Sequence, residues 1–146
     1  MKVFLDTNVF LYAFLDQDVD KKRVAVEAIA KAVRERNGCV STQVAKEFCN
    51  VMLKGSSKSP EDLLKALELF DRFDMVNDTM ELVRGAIRIK SRYDLQYYDS
   101  LMLAAAESER CGKILTEDLN DGQEYCGIKA VNPFKNISTD AKGKTK

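Results

Sequence analysis

The chain has 146 residues, 45% hydrophobic and 32% charged, with 23 basic and 23 acidic side chains in balance. That size and composition predict one globular domain and argue against wholesale disorder. No apolar run reaches the roughly 20 residues a membrane-spanning helix needs, and histidine is absent. Without imidazole the common zinc sites and every histidine-based catalytic triad are excluded, so a hydrolase built on this chain would have to draw its nucleophile from elsewhere, most readily from a metal.

In chain order, Lys2–Leu5 reads as a short buried strand ending on Asp6, followed by an apolar helix over Thr7–Leu15. After the polar break Asp16–Asp20, an amphipathic helix runs over Lys21–Glu35 with Val24, Ala28 and Val33 on its inner side, closed by Asn37-Gly38. Cys39–Thr42 reads as a second strand and Gln43–Lys54 as a helix with Val44, Phe48, Val51 and Met52 inward and Glu47 in its first half. A small-residue loop over Gly55–Ser59 leads to Pro60, which starts a helix predicted to reach Phe73. Asp74–Val76 is a short strand, Thr79–Tyr93 a helix, Tyr98–Arg110 a small-residue helix, and Lys113–Leu115 and Ile128–Val131 are strands. The expected domain covers 1–135, with 136–146 a polar, disordered tail. The start of the chain shows no leader-like region, which predicts a cytoplasmic protein with no membrane partner.

The four cysteines, Cys39, Cys49, Cys111 and Cys126, form no CxxC pair; Cys39 and Cys49 lie in apolar stretches and read as reduced thiols rather than ligands. Short apolar strands alternating with helices predict an α/β fold with a mainly parallel sheet. In such sheets, function gathers outside the carboxyl ends of the strands. Asp6 directly follows the first strand, and Asp118 follows Ile114-Leu115 closely, so the two acids are placed to meet.

Four stretches carry a family resemblance: V-F-L-D-T-N-V at Val3–Val9, Glu47 within Q-V-A-K-E-F, Y-Y-D-S-L-M-L-A-A-A from Tyr97, and I-L-T-E-D from Ile114. In that order and spacing they resemble the motif blocks of PIN domains, and the closing I-K-A-V-N-P-F resembles the end of many VapC-like toxins. The resemblance implies a three-layer PIN-like fold and a metal-dependent endoribonuclease. It marks Asp6, Glu47, Asp99 and Asp118 as catalytic acids around Mg²⁺ or Mn²⁺, with Thr7, Asn8 and Thr116 as polar supports and Asp121 as an accessory acid. It further implies an RNA substrate cut to a 3′-hydroxyl and a 5′-phosphate, a small antitoxin partner and a homodimer. In T-E-D-L-N-D, three acids compete for the fourth role: Glu117, Asp118 and Asp121.

Carboxylates suit this chemistry because hard divalent cations take oxygen ligands, and Mg²⁺ uses one or two of them beside waters and phosphate oxygens. Taken singly, each acid also has an ordinary reading. Asp99 could complement a helix start, Asp6-Thr7-Asn8 could cap a helix, Glu47 could be a solvated helix residue, and Asp118 and Asp121 could form a turn. Arg84, Arg88 and Arg92 share one helix stripe, which is either a solvated face or a phosphate track; Lys54 and Lys58 offer a weaker hint of the same kind. A haloacid-dehalogenase-like phosphatase would want a second Asp where Asn8 stands, and phosphate-binding glycine patterns are absent. A stand-alone RNA-processing enzyme and an inactive PIN-like binding module remain the other readings.

Overall fold

The computed structural model describes residues 1–55 and 58–137. Six strands form one sheet: β1 (Val3–Leu5), β2 (Gly38–Ser41), β3 (Asp74–Val76), β4 (Lys113–Leu115), β5 (Glu124–Tyr125) and β6 (Ile128–Val131), in the order β3-β2-β1-β4-β6-β5. Every pairing is parallel except that of β5 with β6. The central strands are apolar without alternation because helices cover both faces, as expected for a parallel sheet. The α/β class and the mainly parallel sheet therefore stand as the sequence predicts.

Among the described residues, six α-helices flank the sheet: α1 (Thr7–Phe14), α2 (Val19–Glu35), α3 (Thr42–Gly55), α4 (Pro60–Ala66), α5 (Met80–Tyr93) and α6 (Tyr97–Ser108). Helix α1 packs on α2 and α3, and α5 packs along α6. Among the described residues, no helix is long and apolar enough to cross a membrane.

Several local expectations change. Helix α2 starts earlier than Lys21, at Val19, because Asp18 caps it by accepting the Lys21 N–H at 3.0 Å. Its buried stripe is Ala25, Ile29 and Ala32, with Val24, Ala28 and Val33 only partly covered. Arg36, in the left-handed region at φ 55°, ends that helix, rather than Asn37-Gly38. Gly38 serves another purpose: a Cβ there would stand 2.4 Å from the Phe73 ring. On α3, Val44, Phe48 and Met52 point inward, whereas Val51 is exposed, one position off their four-residue spacing.

The single helix predicted over Pro60–Phe73 is two pieces. Ser59 and Asp62 form a capping box for α4, and the chain then tightens into a 3₁₀ turn over Leu67–Arg72. That turn sends Phe70 into the core, edge-on to Phe10 at 4.7 Å and to Phe48 at 5.5 Å. Strand β5, too short to show a period in the sequence, pairs with β6 through a two-residue turn. Cys126 and Gly127 both have positive φ there, 55° and 79°, which suits the twist of a tight hairpin. All four cysteines are free, with Cys39 buried and Cys49 half-buried.

Of the tail predicted from Asn136, only Asn136 and Ile137 belong to the described residues, where the Ile137 N–H meets Phe134 O at 3.2 Å. The remainder of that segment, like the middle of the Gly55–Ser59 loop, lies outside them.

Candidate active site

Six polar side chains are buried among the described residues: Asp6, Thr7, Ser41, Gln43, Ser100 and Thr116. All six lie on one side of the molecule, at the carboxyl ends of β1, β2 and β4 or in the first turns of α1, α3 and α6. Polar groups in a core are costly unless they satisfy one another. Ser41 and Ser100 bond to backbone groups of their own turns, Asp6, Thr7, Gln43 and Thr116 join a shared network, and the Gln43 Oε1 is left without a partner among the described residues.

Asp6 sits at its centre, 2% exposed. It caps α1 by accepting the Thr7 N–H at 2.5 Å, and its second oxygen accepts the Thr116 hydroxyl at 2.7 Å. The capping reading and the site reading of Asp6 thus describe the same residue. Thr116 in turn accepts the Asp118 N–H at 3.0 Å, fixing the bend that carries Asp118. The Thr7 hydroxyl donates to Glu47 at 2.6 Å, and Gln43 Nε2 donates to the other Glu47 oxygen at 3.2 Å. Gln43 Nε2 also reaches the backbone oxygen of Tyr98 at 3.1 Å, beside Asp99. Asn8 Nδ2 completes the set with a 3.4 Å bond to Asp118. Side chains from three separate segments, and the backbone of a fourth at Tyr98, are therefore tied to one another.

Burial, opposed by the Thr116 and Thr7 hydrogen bonds and assisted by the negative charge of Asp118, raises the Asp6 carboxyl to about 7. Asp99 is raised to about 6, by burial first and then by the charges of Asp118 and Glu47. Asp99 does not cap its helix: the cap position is Gln96, which makes no side-chain capping bond. Asp6 feels the charge of Asp118, and Asp99 those of Asp118 and Glu47, yet among the described residues no ion pair brings a lysine or arginine to any of the four acids.

The three competing acids after β4 point to three places. Asp118 faces Asn8 and the Asp6 side. Glu117 turns to Lys21 and Tyr12. Asp121 accepts the Asn132 N–H at 2.7 Å and pairs with Lys135 at 2.8 Å, which lowers its pKa, and its partners keep it out of the network.

The basic residues are not brought together with the acids. Arg84 pairs with Glu81, an exposed couple on the same helix. Arg92 lies over the Tyr93 ring and close enough to Cys126 to act on its thiol. Cys126 precedes β6, at the amino end of that parallel strand, so the stripe from Arg84 through Arg88 to Arg92 ends on the side opposite Asp6. Lys58 acts on Asp16, in the connection between α1 and α2, and Lys54 is exposed in the last turn of α3. Sequence reasoning passed over Gln43, although its place four residues before Glu47 put both on one helix face.

The chain matches the profile of the PIN domain family over residues 3–121. It belongs to the PIN domain family. No curated protein sequence matches it, but solved structures do. The toxin–antitoxin complex of Klebsiella pneumoniae aligns with a TM-score of 0.66 and 19% identity, covering 91% of this chain and 98% of that one. VapBC2 of Rickettsia felis, bound to a DNA fragment from its promoter, gives 0.65 and 16%, covering 90% and 98%. VapC20 of Mycobacterium tuberculosis, a toxin that cleaves the sarcin-ricin loop, gives 0.65 and 16%, covering 82% and 92%. At these identities the likeness is one of fold, and this PIN domain shares its architecture with VapC toxins.

The donor set of this PIN domain is all oxygen, the kind hard cations prefer. Among the described residues, no three Asp, Glu or Cys side chains enclose a ready-made cage. Mg²⁺ does not require one, since waters and phosphate oxygens fill most of its octahedron. A buried Asp6 with two donors and no counter-cation fits such an ion.

Proposed function

We propose that this PIN domain is a metal-dependent endoribonuclease, the toxin of a toxin–antitoxin pair. The observation carrying this reading is the buried, uncompensated Asp6, hydrogen-bonded through Thr7 and Thr116 to the segments that hold Glu47 and Asp118. Bound Mg²⁺ or Mn²⁺ would supply a water of lowered pKa and positive charge against the phosphodiester. Asp6 and Asp99 are the residues assigned to hold the ion. Glu47 and Asp118 orient the attacking water, accept its proton or hold a second ion. Thr7 and Gln43 fix both Glu47 oxygens, so the carboxylate presents one orientation.

The partner implied is a small antitoxin protein, supported by the toxin–antitoxin assemblies among the structural relatives, together with a second copy of the chain. The test is cleavage of structured RNAs by purified protein. Cutting is expected with Mg²⁺ or Mn²⁺ and none with EDTA, and Asp6→Asn should lower the rate at least about a hundredfold. Full activity in EDTA would refute metal dependence.

A further inference from the structure

Glu117 and Asp118 are neighbours in the chain whose side chains face different partners. Asp118 is exposed; among the described residues its side chain has one long hydrogen bond, 3.4 Å from Asn8, and otherwise faces the like-charged Asp6 carboxyl. Glu117 is gripped on both oxygens: Tyr12 donates to one at 2.5 Å and Lys21 Nζ to the other at 3.0 Å. Lys21 also donates to the Tyr12 hydroxyl at 3.2 Å, closing a triangle. Two aromatic rings wall it in. The Lys21 ammonium lies 4.7 Å from the Tyr12 ring centre and 5.6 Å from that of Phe134, and those rings meet edge to face at 5.0 Å. The side chains of Lys21 and Glu117 are only 22% and 20% exposed, so this pair is screened far less than the surface pairs of the chain.

The triangle joins α1, α2 and the bend after β4, and that bend carries Asp118. Thr116 is tied to Asp6 and accepts the Asp118 N–H, and Glu117, the residue directly before Asp118, is locked on both oxygens, so the backbone that carries Asp118 has little freedom. Asp118 needs such help, because its own side chain is the least anchored among the hydrogen-bonded acids of the site. We propose that Lys21, Tyr12 and Glu117 form a positioning latch that aims Asp118 at the acidic centre. Its catalytic consequence rests on the nuclease reading above. The latch residues are positioning residues that act through Asp118.

An ordinary stabilising ion pair would look similar in a melt, so the test needs other readouts. Lys21→Met keeps the apolar stem against both rings and removes the charge. It should lower kcat about tenfold with KM for RNA within about twofold, and in an Asp118→Ala background it should cost nothing further. Lys21→Arg should restore most of the rate, and Tyr12→Phe, a milder change, should act in the same direction. Independently of catalysis, Lys21→Met should speed hydrogen exchange at the Asp118 amide about tenfold or more, since that N–H is bonded to Thr116. Equal losses in both backgrounds, or an unchanged Asp118 amide, would overturn the latch. A wild-type protein that fails to cut RNA would overturn the nuclease reading instead, and the exchange measurement would still decide the positioning role.

Discussion

Two clusters of carboxylates stand at opposite edges of one sheet, and they are built differently. At the amino-terminal edge, Asp74 and Glu109 meet around Lys2, whose ammonium lies 3.1 Å and 2.7 Å from them. The two hydrogen bonds to those acids raise the lysine pKa, and the cluster carries its own cation. At the carboxyl-terminal edge stand Asp6, Glu47, Asp99 and Asp118, with no such partner among the described residues, and Asp6 and Asp99 are held at raised pKa values of about 7 and 6. A fold able to place a lysine between acids at one edge leaves the other edge without one. On the proposed nuclease reading a divalent cation would supply the missing charge, whereas the Lys2 cluster is complete in itself.

The largest expected contrast is in catalysis. Asp6→Asn and Asp99→Asn should each cut RNA cleavage at least about a hundredfold, while Lys2→Met should leave the rate unchanged and lower the melting temperature slightly. A Lys2→Met variant as inactive as Asp6→Asn would erase the distinction between the edges.

A second contrast is in pH. A carboxyl whose folded pKa exceeds its unfolded value binds protons more tightly when folded, so its charge destabilises the protein at neutral pH. For Asp6 and Asp99, metal-free stability should therefore increase as pH falls through about 7 and 6, and should level off near the unfolded values. The net gain should be on the order of 1 kcal/mol or more, after discount for the half-exposed Asp99. Denaturant midpoints between pH 8 and 5, with EDTA present, measure it. A protein steadily weaker toward pH 5 would contradict the raised values.

The smallest effect concerns the arginines. Neutralising Arg84, Arg88 and Arg92 together should shift stability by less than about 0.5 kcal/mol, as exposed charges do. The salt slope of RNA binding should stay the same, because the stripe runs away from the acids. A slope flattened by about two or more would restore the phosphate-track reading.

Much of this arrangement was legible because strand ends and acids coincide in the sequence. Asp6 after Val3–Leu5 and Asp118 after Lys113–Leu115 announce their meeting once the strands are parallel. Where the backbone's local signal was ambiguous, the reading failed. The helix predicted to Phe73 gave way to a 3₁₀ turn because Phe70 gains ring contacts that propensity does not register. The α2 stripe differs from the valine-centred expectation because Ala25 and Ala32 are small and hydropathy alone favours the valines beside them. Strand β5 exists only as a partner of β6. The directions of Glu117, Asp118 and Asp121 depend on Lys21, Asn8 and Lys135, all remote in sequence, and no local pattern encodes them.

The most direct test of the uncompensated acid cluster uses thermal melts of wild type and Asp99→Asn, each with EDTA and with Mg²⁺. Removing one charge from these unneutralised acids should stabilise the metal-free protein by an amount on the order of 1 kcal/mol, and so raise its melting temperature. Mg²⁺ should stabilise the wild type by binding the folded site, and should stabilise the variant much less. An Asp99 that merely complements the start of α6 predicts the opposite: a metal-free variant that melts lower than wild type, with Mg²⁺ leaving both proteins alike. That outcome would contradict the account.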